Sequence, residues 1–595
     1  MMKTRKRILS ILLSCLLVFS MTACAQTDPG ASSQPPDQAG SSSSSQEGGE
    51  SYAETTESTL DASGYNGAVT SGRKEASEVG VEIMQAGGNA IDAAVGTALA
   101  VGFFEPNASG LGGQGFMNIY LADTQEMFFI NGRMPAPENI PLDAFKDALN
   151  PDGTTNAEGQ SKISASGLAV GAPSELMVMS KALENYGTMK LEEIIPYVVA
   201  KAEKGIEVSQ NLLGHIENAY EYLLEREGGG HIYLTEDGFT PKVGDVIYNE
   251  DLVNTLKLIK DQGIDVFYGG EIGQKIVDVV QANGGYLSME DLMAVKDNVQ
   301  IIEPSYTTYR DYKIYSSPLP SSGGIIIGEI LNILENADVG SMEHNGAEHL
   351  NLLAEAMKRG YADRSTFMGD PKFVDVPVDG LLSKEYAKEL YDGIGAPLLE
   401  NTAGDPWAYE SQETTSLSVI DSHGNMVVWT KSINSHFGSK LFADGYGFPL
   451  TNTLMDFDMK TGTPNAVAPG KTALSSMSPT FVLTPDGKPF IATGAPGAKI
   501  IIAALVQTIS NVIDFGMDAQ EAVSAPRIYA MDGVTTVEGR IDQAVQDELA
   551  AMGHEVKVVD DYYSGMGSAN TIVLLENGEY HAAADPRRDA QGVAY

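Results

Sequence analysis

A layered α/β architecture is the fold class this sequence predicts, on three observations. Residues from about 173 to 370 carry helical periodicity, with apolar positions recurring on one face of 176–186, 191–204 and 347–361. After Thr414 the pattern switches to β-branched, alternating runs separated by turn residues, which read as strands. A long apolar helix, 500–515, follows those strands, so sheets must be covered by helices.

In chain order, the first 23 residues carry Lys3, Arg5, Lys6 and Arg7, then the apolar run 8–19, then Met21-Thr22-Ala23-Cys24. The apolar core is far short of the ~20 residues a spanning helix needs, so 1–23 reads as a secretory signal peptide. Its end is similar to a bacterial lipoprotein signal, which makes Cys24 the expected lipidation site. The expected location is extracytoplasmic, either secreted or lipid-anchored to the outer face of the bacterial membrane. Residues 24–65 are Ser, Gly, Pro, Gln and acid, without Lys or Arg, and cannot bury enough apolar surface to order themselves. They read as a tether.

Cys15 and Cys24 are the only cysteines, so residues 25–595 can form neither disulfides nor zinc-thiolate sites. The eight histidines are scattered, with His344 and His349 five apart and no H-E-x-x-H, and neither metal nor cofactor is expected. A formal charge of −42 argues against nucleic acid and anionic lipid surfaces, which are bound by clustered Lys and Arg. An anionic substrate would need a local positive group.

Within the folded part, Asn89 with Asp92 three positions on has the form of a capping box opening a helix over 90–102. Gly110-Leu-Gly112-Gly-Gln-Gly115 is formally G-x-G-x-x-G, but it follows a helix and precedes the strand 116–121. That is the reverse of the order a dinucleotide site requires, so it predicts a turn with close backbone packing. Pro318 to Gly324 opens another helix, 325–335, with serine available for capping. Strands 415–421 and 426–432 form a hairpin around Ser422-His-Gly-Asn425, and 480–483 pairs with 489–493 around Pro485-Asp-Gly487.

Thr414-Thr415 stands at the start of the first of these strands. Threonine is a poor nucleophile unless a base sits beside it, and its own α-amine, freed by cutting the preceding bond, titrates near ~7.7–8.0, close to where a general base works best. Read alone, the pair would be a surface-strand pair in most proteins that contain one.

Its company decides between these readings. Gly87-Gly-Asn-Ala-Ile-Asp-Ala-Ala94, Ser109-Gly-Leu-Gly-Gly113, Gly115-Phe-Met117, Pro320-Ser-Ser-Gly-Gly324, Tyr361-Ala-Asp-Arg364, Gly369-Asp-Pro371, Leu474-Ser-Ser-Met-Ser-Pro-Thr480 and Ala584-Asp-Pro-Arg587 occur in order along 64–595. Together the chain resembles the γ-glutamyltranspeptidase family of N-terminal-nucleophile hydrolases. The resemblance implies a four-layer αββα sandwich and a precursor cut between Glu413 and Thr414. The products would be a large subunit, 66–413, and a small one, 414–595, that stay together. It also implies attack of Thr414 on a γ-glutamyl amide of glutathione or another small γ-glutamyl compound, with the acyl group passed to water or an amine.

By the same resemblance, Ser432 stands where a second hydroxyl orients the nucleophile. Arg133 grips the substrate α-carboxylate with help from Ser475 and Ser476. Asn434 and Asp456, with Thr453 nearby, hold the α-ammonium, and Gly497 and Ala498 supply the oxyanion-hole N–H groups. The sequence departs from the family pattern at Met134, Ser416, Thr453 and Ala498. The stretch 456–471 is short for a lid, and so predicts an open pocket that favours hydrolysis. Poly-γ-glutamate or acyl-amide hydrolysis, and an inactive peptide-binding lipoprotein, are the alternatives.

Overall fold

Two antiparallel sheets of seven strands each organise the chain. The computed structural model describes residues 60–395, 413–531 and 533–595. The predicted signal, Cys24 and the predicted tether as far as residue 59 lie outside these, but the tether's expected end at 65 is too late: Ala62–Gly64 pairs with the strand Tyr580–Ala584, whose open backbone groups order a segment that has little apolar surface of its own. The first sheet runs, in spatial order, Gln591–Ala594, Gly67–Ser71, Glu413–Asp421, Met426–Asn434, Gln114–Leu121, Glu126–Asn131 and Gln300–Ile302. The second runs Ala62–Gly64, Tyr580–Ala584, Asn570–Leu574, Pro489–Gly494, Thr480–Leu483, Tyr312–Ser316 and Ser305–Tyr309.

The predicted hairpin forms with Ser416 opposite Thr430 and Val419 opposite Val427. Side chains alternate across a strand, so each strand serves two layers. Leu417, Val419, Val427 and Trp429 pack under helices, while Ile420, Met426 and Val428 meet Phe481, Ala492 and Ile572 of the second sheet. Ser418 makes the same crossing with a polar group, its hydroxyl donating to the Asn570 carbonyl at 2.9 Å.

Helices that are apolar on every side have no face to give to water and end up buried. Ala90–Phe104, with every residue buried, covers the first sheet beside Lys74–Gln85, Glu175–Tyr186 and Leu191–Ala202. Gly323–Leu334, Ala347–Phe367 and Ile500–Ile513 cover the second. The order is helix, sheet, sheet, helix, the αββα sandwich that the resemblance implied.

The capping box at Asn89 forms as read: its carbonyl oxygen accepts from Ile91 and Asp92, and Asp92 accepts the Asn89 N–H at 2.8 Å. The glycine-rich segment is a tight turn, in which a Cβ on Gly112 would lie 2.0 Å from the Pro449 carbonyl oxygen. At the helix Gly323–Leu334 the residue before the first turn, Ser322, makes no cap. Instead the Ser321 hydroxyl accepts the Gly323 N–H at 3.2 Å.

Candidate active site

Strand alternation carries Thr414 and Ser432 to the side facing the second sheet, where the space between the sheets opens. Thr415 points the other way, and its hydroxyl bonds Glu105 under the helices. Burial raises the Glu105 carboxyl above its ordinary range, against the opposing pull of Arg588 and the Thr415 hydrogen bond. Pairing slips between Glu413 and Thr415, so a bulge stands at the Glu413–Thr414 bond. The Thr414 hydroxyl donates to Ser432 Oγ at 3.3 Å, and that oxygen also accepts the Asn434 N–H at 2.7 Å. Arg588 Nη1 donates to the Thr414 carbonyl at 3.1 Å and fixes the strand end from behind.

Thr414 opens on a narrow cavity of about 30 Å³, room for a water or two and far below the ~300–1,000 Å³ usual for ligand sites. Arg133, Asn434, Asp456, Ser475, Ser476 and Ala498 line it with Thr414 and Ser432. Arg133 follows the strand Glu126–Asn131 and is oriented by its N–H to Asn131 Oδ1 at 2.9 Å. Its Nη2 pairs with Asp456 Oδ2 and donates to the Thr453 carbonyl at 3.3 Å. The two charged groups expected to read opposite ends of a substrate therefore hold each other.

The serines are set as donors. A hydroxyl has one proton, and each of these oxygens already accepts: Ser475 Oγ from the Met477 N–H at 3.2 Å, and Ser476 Oγ from Arg364 Nη2 at 3.1 Å. Among the described residues nothing accepts from either, so both protons are available to a ligand anion. Gly497 and Ala498 lead into the helix Ile500–Ile513, whose dipole favours negative charge at this end, although the N–H groups of Ile500, Ile501 and Ile502 already donate to the carbonyls of Gly497, Ala498 and Lys499. Their φ values are +128° and +50°. Ala498 thus occupies the left-handed region that suits glycine, a strained position for an L side chain.

Thr453 does not line the cavity. Its carbonyl holds Arg133, while its hydroxyl, buried without a partner among the described residues, faces Gly171, where a Cβ would lie 2.8 Å away. Nor is the pocket open as the short stretch 456–471 predicted. Asn465 ties the Asp456 carbonyl (2.7 Å) to the Leu474 N–H (2.9 Å), and Lys471 Nζ donates to the carbonyls of Pro464 and Ala466 at 2.7 and 2.9 Å. The short loop is pinned down, and Thr414 is 5% exposed. Sequence reading gave no role to Arg364 or Lys499, nor to the apolar wall of Leu474, Met477 and Ile501, which also line the cavity. The Tyr361-Ala-Asp-Arg364 stretch, matched to the family without a role for its arginine, was the available signal.

A family model described as gamma-glutamyltranspeptidase matches residues 76–595. The chain belongs to the γ-glutamyltranspeptidase family. It is 35% identical over 553 residues to the glutathione hydrolase proenzyme of Bacillus subtilis (strain 168), covering 89% of this chain and 92% of that one. To the glutathione hydrolase proenzyme of Escherichia coli (strain K12) it is 37% identical over 538 residues, covering 88% and 90%. The Acylase ACY 1 proenzyme of Pseudomonas sp. (strain SE83) is 35% identical over 539 residues, covering 90% and 94%. Among solved structures, the cephalosporin acylase from Bacillus halodurans superposes with a TM-score of 0.81 at 26% identity, covering 93% of this chain and 99% of that one. The relatives of this family member thus carry the names of both glutathione hydrolases and acylases.

Proposed function

We propose that this chain is a precursor that cuts itself between Glu413 and Thr414 and then hydrolyses or transfers γ-glutamyl groups through an acyl ester on Thr414. The observation that carries the reading is one small buried cavity holding the Thr414 hydroxyl, the Arg133 cation, the Asp456 anion and two serine donors. A free glutamate head carries a carboxylate and an ammonium on one carbon, and these groups complement both.

In processing, Thr414 Oγ attacks the Glu413 carbonyl, the acyl group moves from nitrogen to oxygen, and water cleaves the ester, leaving a free Thr414 amine. In turnover that amine takes the hydroxyl proton as Oγ attacks the γ-amide carbon. The oxyanion forms against the N–H groups of Gly497 and Ala498, each worth about 100-fold or more in rate. The amine product leaves with the proton, and water or a second amine accepts the acyl group. Ser432 keeps the hydroxyl oriented throughout.

Residues 66–413 and 414–595 would be the two subunits. Denaturing electrophoresis of purified protein should give two bands, the smaller about a third of the mass, with release of anilide from a γ-glutamyl anilide. Thr414→Ala should abolish both, and two bands from that variant would assign the cutting to another protease. For location, Cys24→Ala should move the protein from the membrane fraction to the medium; retention on the membrane would remove the lipid-anchor proposal.

A second reading, hydrolysis of acyl amides whose acyl group has a carboxylate but no ammonium, is supported by the acylases among the chain's relatives.

A further inference from the structure

Arg364 is a second buried guanidinium in the wall of the Thr414 cavity, 5% exposed and carried on the helix Ala347–Phe367. Its Nε donates to Ser322 Oγ at 2.8 Å and its Nη2 to Ser476 Oγ at 3.1 Å. Ser322 in turn donates through its hydroxyl (2.8 Å) and its N–H (2.9 Å) to the carbonyl of Ser475. One side chain therefore braces both serines of the cavity, Ser476 at its hydroxyl and Ser475 at its backbone.

We infer that Arg364 is a specificity-determining positioning residue, which fixes Ser476 as a hydrogen-bond donor to a carboxylate on the acyl group of the substrate. A guanidinium has donors and no acceptor, so the Ser476 oxygen can only accept from it, and the single hydroxyl proton is turned elsewhere. Donation from a cation also polarises that O–H and strengthens what it donates in turn. A neutral partner in place of Arg364 would let the hydroxyl rotate and spend its proton on the protein.

The inference rests on the reading that the acyl donor carries a carboxylate, and three anilides keep the two apart. γ-Glutamyl anilide has both head charges, glutaryl anilide has the carboxylate only, and 4-aminobutanoyl anilide has the ammonium only. For Arg364→Met, measured on the cut enzyme, KM for the γ-glutamyl and glutaryl anilides should rise about 10- to 100-fold, the range for a hydrogen bond to a charged group, with kcat within about twofold. Kinetics with 4-aminobutanoyl anilide should not change. Ser476→Ala should give the same pattern, and adding Arg364→Met to it should add little, because the two act as one unit.

If Arg364→Met fails to cut itself, Arg364→Lys, which keeps the charge and one donor, should cut and show a smaller KM rise confined to the two carboxylate donors. Equal losses on all three anilides, or a rise in KM that adds fully to that of Ser476→Ala, would overturn the positioning role while leaving the γ-glutamyl reading intact. Wild-type enzyme that takes 4-aminobutanoyl anilide as well as the other two would overturn both.

Discussion

Asp456→Asn separates the two substrate readings because it removes the charge that pairs with Arg133. The two side chains are 2% and 16% exposed, so their attraction is little screened. In the wild type a γ-glutamyl head exchanges one ion pair for two, carboxylate on Arg133 and ammonium on Asp456. A glutaryl head offers its carboxylate to an Arg133 already neutralised, beside a carboxylate that repels it. Asparagine keeps the size and one acceptor oxygen but not the charge. The γ-glutamyl donor then loses a charge-assisted contact of about 1.5–3 kcal/mol, or about 10- to 100-fold in kcat/KM. The glutaryl donor gains an open guanidinium and should improve by about 10-fold. The ratio of kcat/KM values for the two anilides should therefore swing by about 100- to 1,000-fold toward glutaryl. Both constants are read on enzyme shown to be fully cut, with thermal melting to confirm the fold. If both donors change by the same factor, Asp456 only supports Arg133 structurally and does not discriminate head charge.

Two further perturbations test other parts of the site and its support. Ala498→Gly removes an L side chain from φ +50°, a strain of about 1–2 kcal/mol, against about 0.5–1 kcal/mol for the added freedom of glycine in the unfolded chain. A small net rise in melting temperature is expected, with kcat within about twofold because both N–H donors remain. A change near 100-fold would mean that the methyl group misplaces a donor. Behind Ser432, Lys431 pairs with Glu175 at 2.8 Å, both fully buried, and burial lifts the Glu175 carboxyl to about 7 against the opposing charge of Lys431. The folded chain therefore keeps a proton that the unfolded chain gives up near 4.5, so stability from this group is greatest below pH 4.5 and is lost as pH rises to about 7. Glu175→Gln should flatten the fall in melting temperature between pH 5 and 7, and an unchanged slope would refute the assignment. Lys431→Met should destabilise by about 3–5 kcal/mol, as removal of one partner of a buried pair does, and adding Glu175→Gln should recover most of it.

Strands and helices were legible where one residue's neighbours in sequence decide its environment. The hairpin around 422–425 follows from alternation and turn residues, and the box at Asn89 from two side chains three apart. The buried helices follow from apolar runs too uniform to face water. The candidate site was legible as a set of residues, because the stretches around Thr414, Arg133 and Ser475 match a family in order.

What escaped was how those residues meet, since that is fixed by partners far apart in the chain. Arg133 and Asp456 are 323 positions apart, and nothing near either says that the cation and the anion close on each other. Thr453 sits beside Asp456 in sequence, yet a short turn sends its hydroxyl toward Gly171 and leaves only its carbonyl at the site. A short loop at 456–471 suggested an open pocket by length alone, but length does not determine whether Asn465 and Lys471 find acceptors that hold the loop down. Ala498 was the one departure whose meaning turned on a backbone angle: harmless at negative φ, strained at the +50° it adopts. Arg364 combines all of these effects, because its value to the site lies in two hydrogen bonds spanning 42 and 112 positions, one of which makes the Ser476 oxygen an acceptor on the protein side and leaves its single proton to be donated elsewhere.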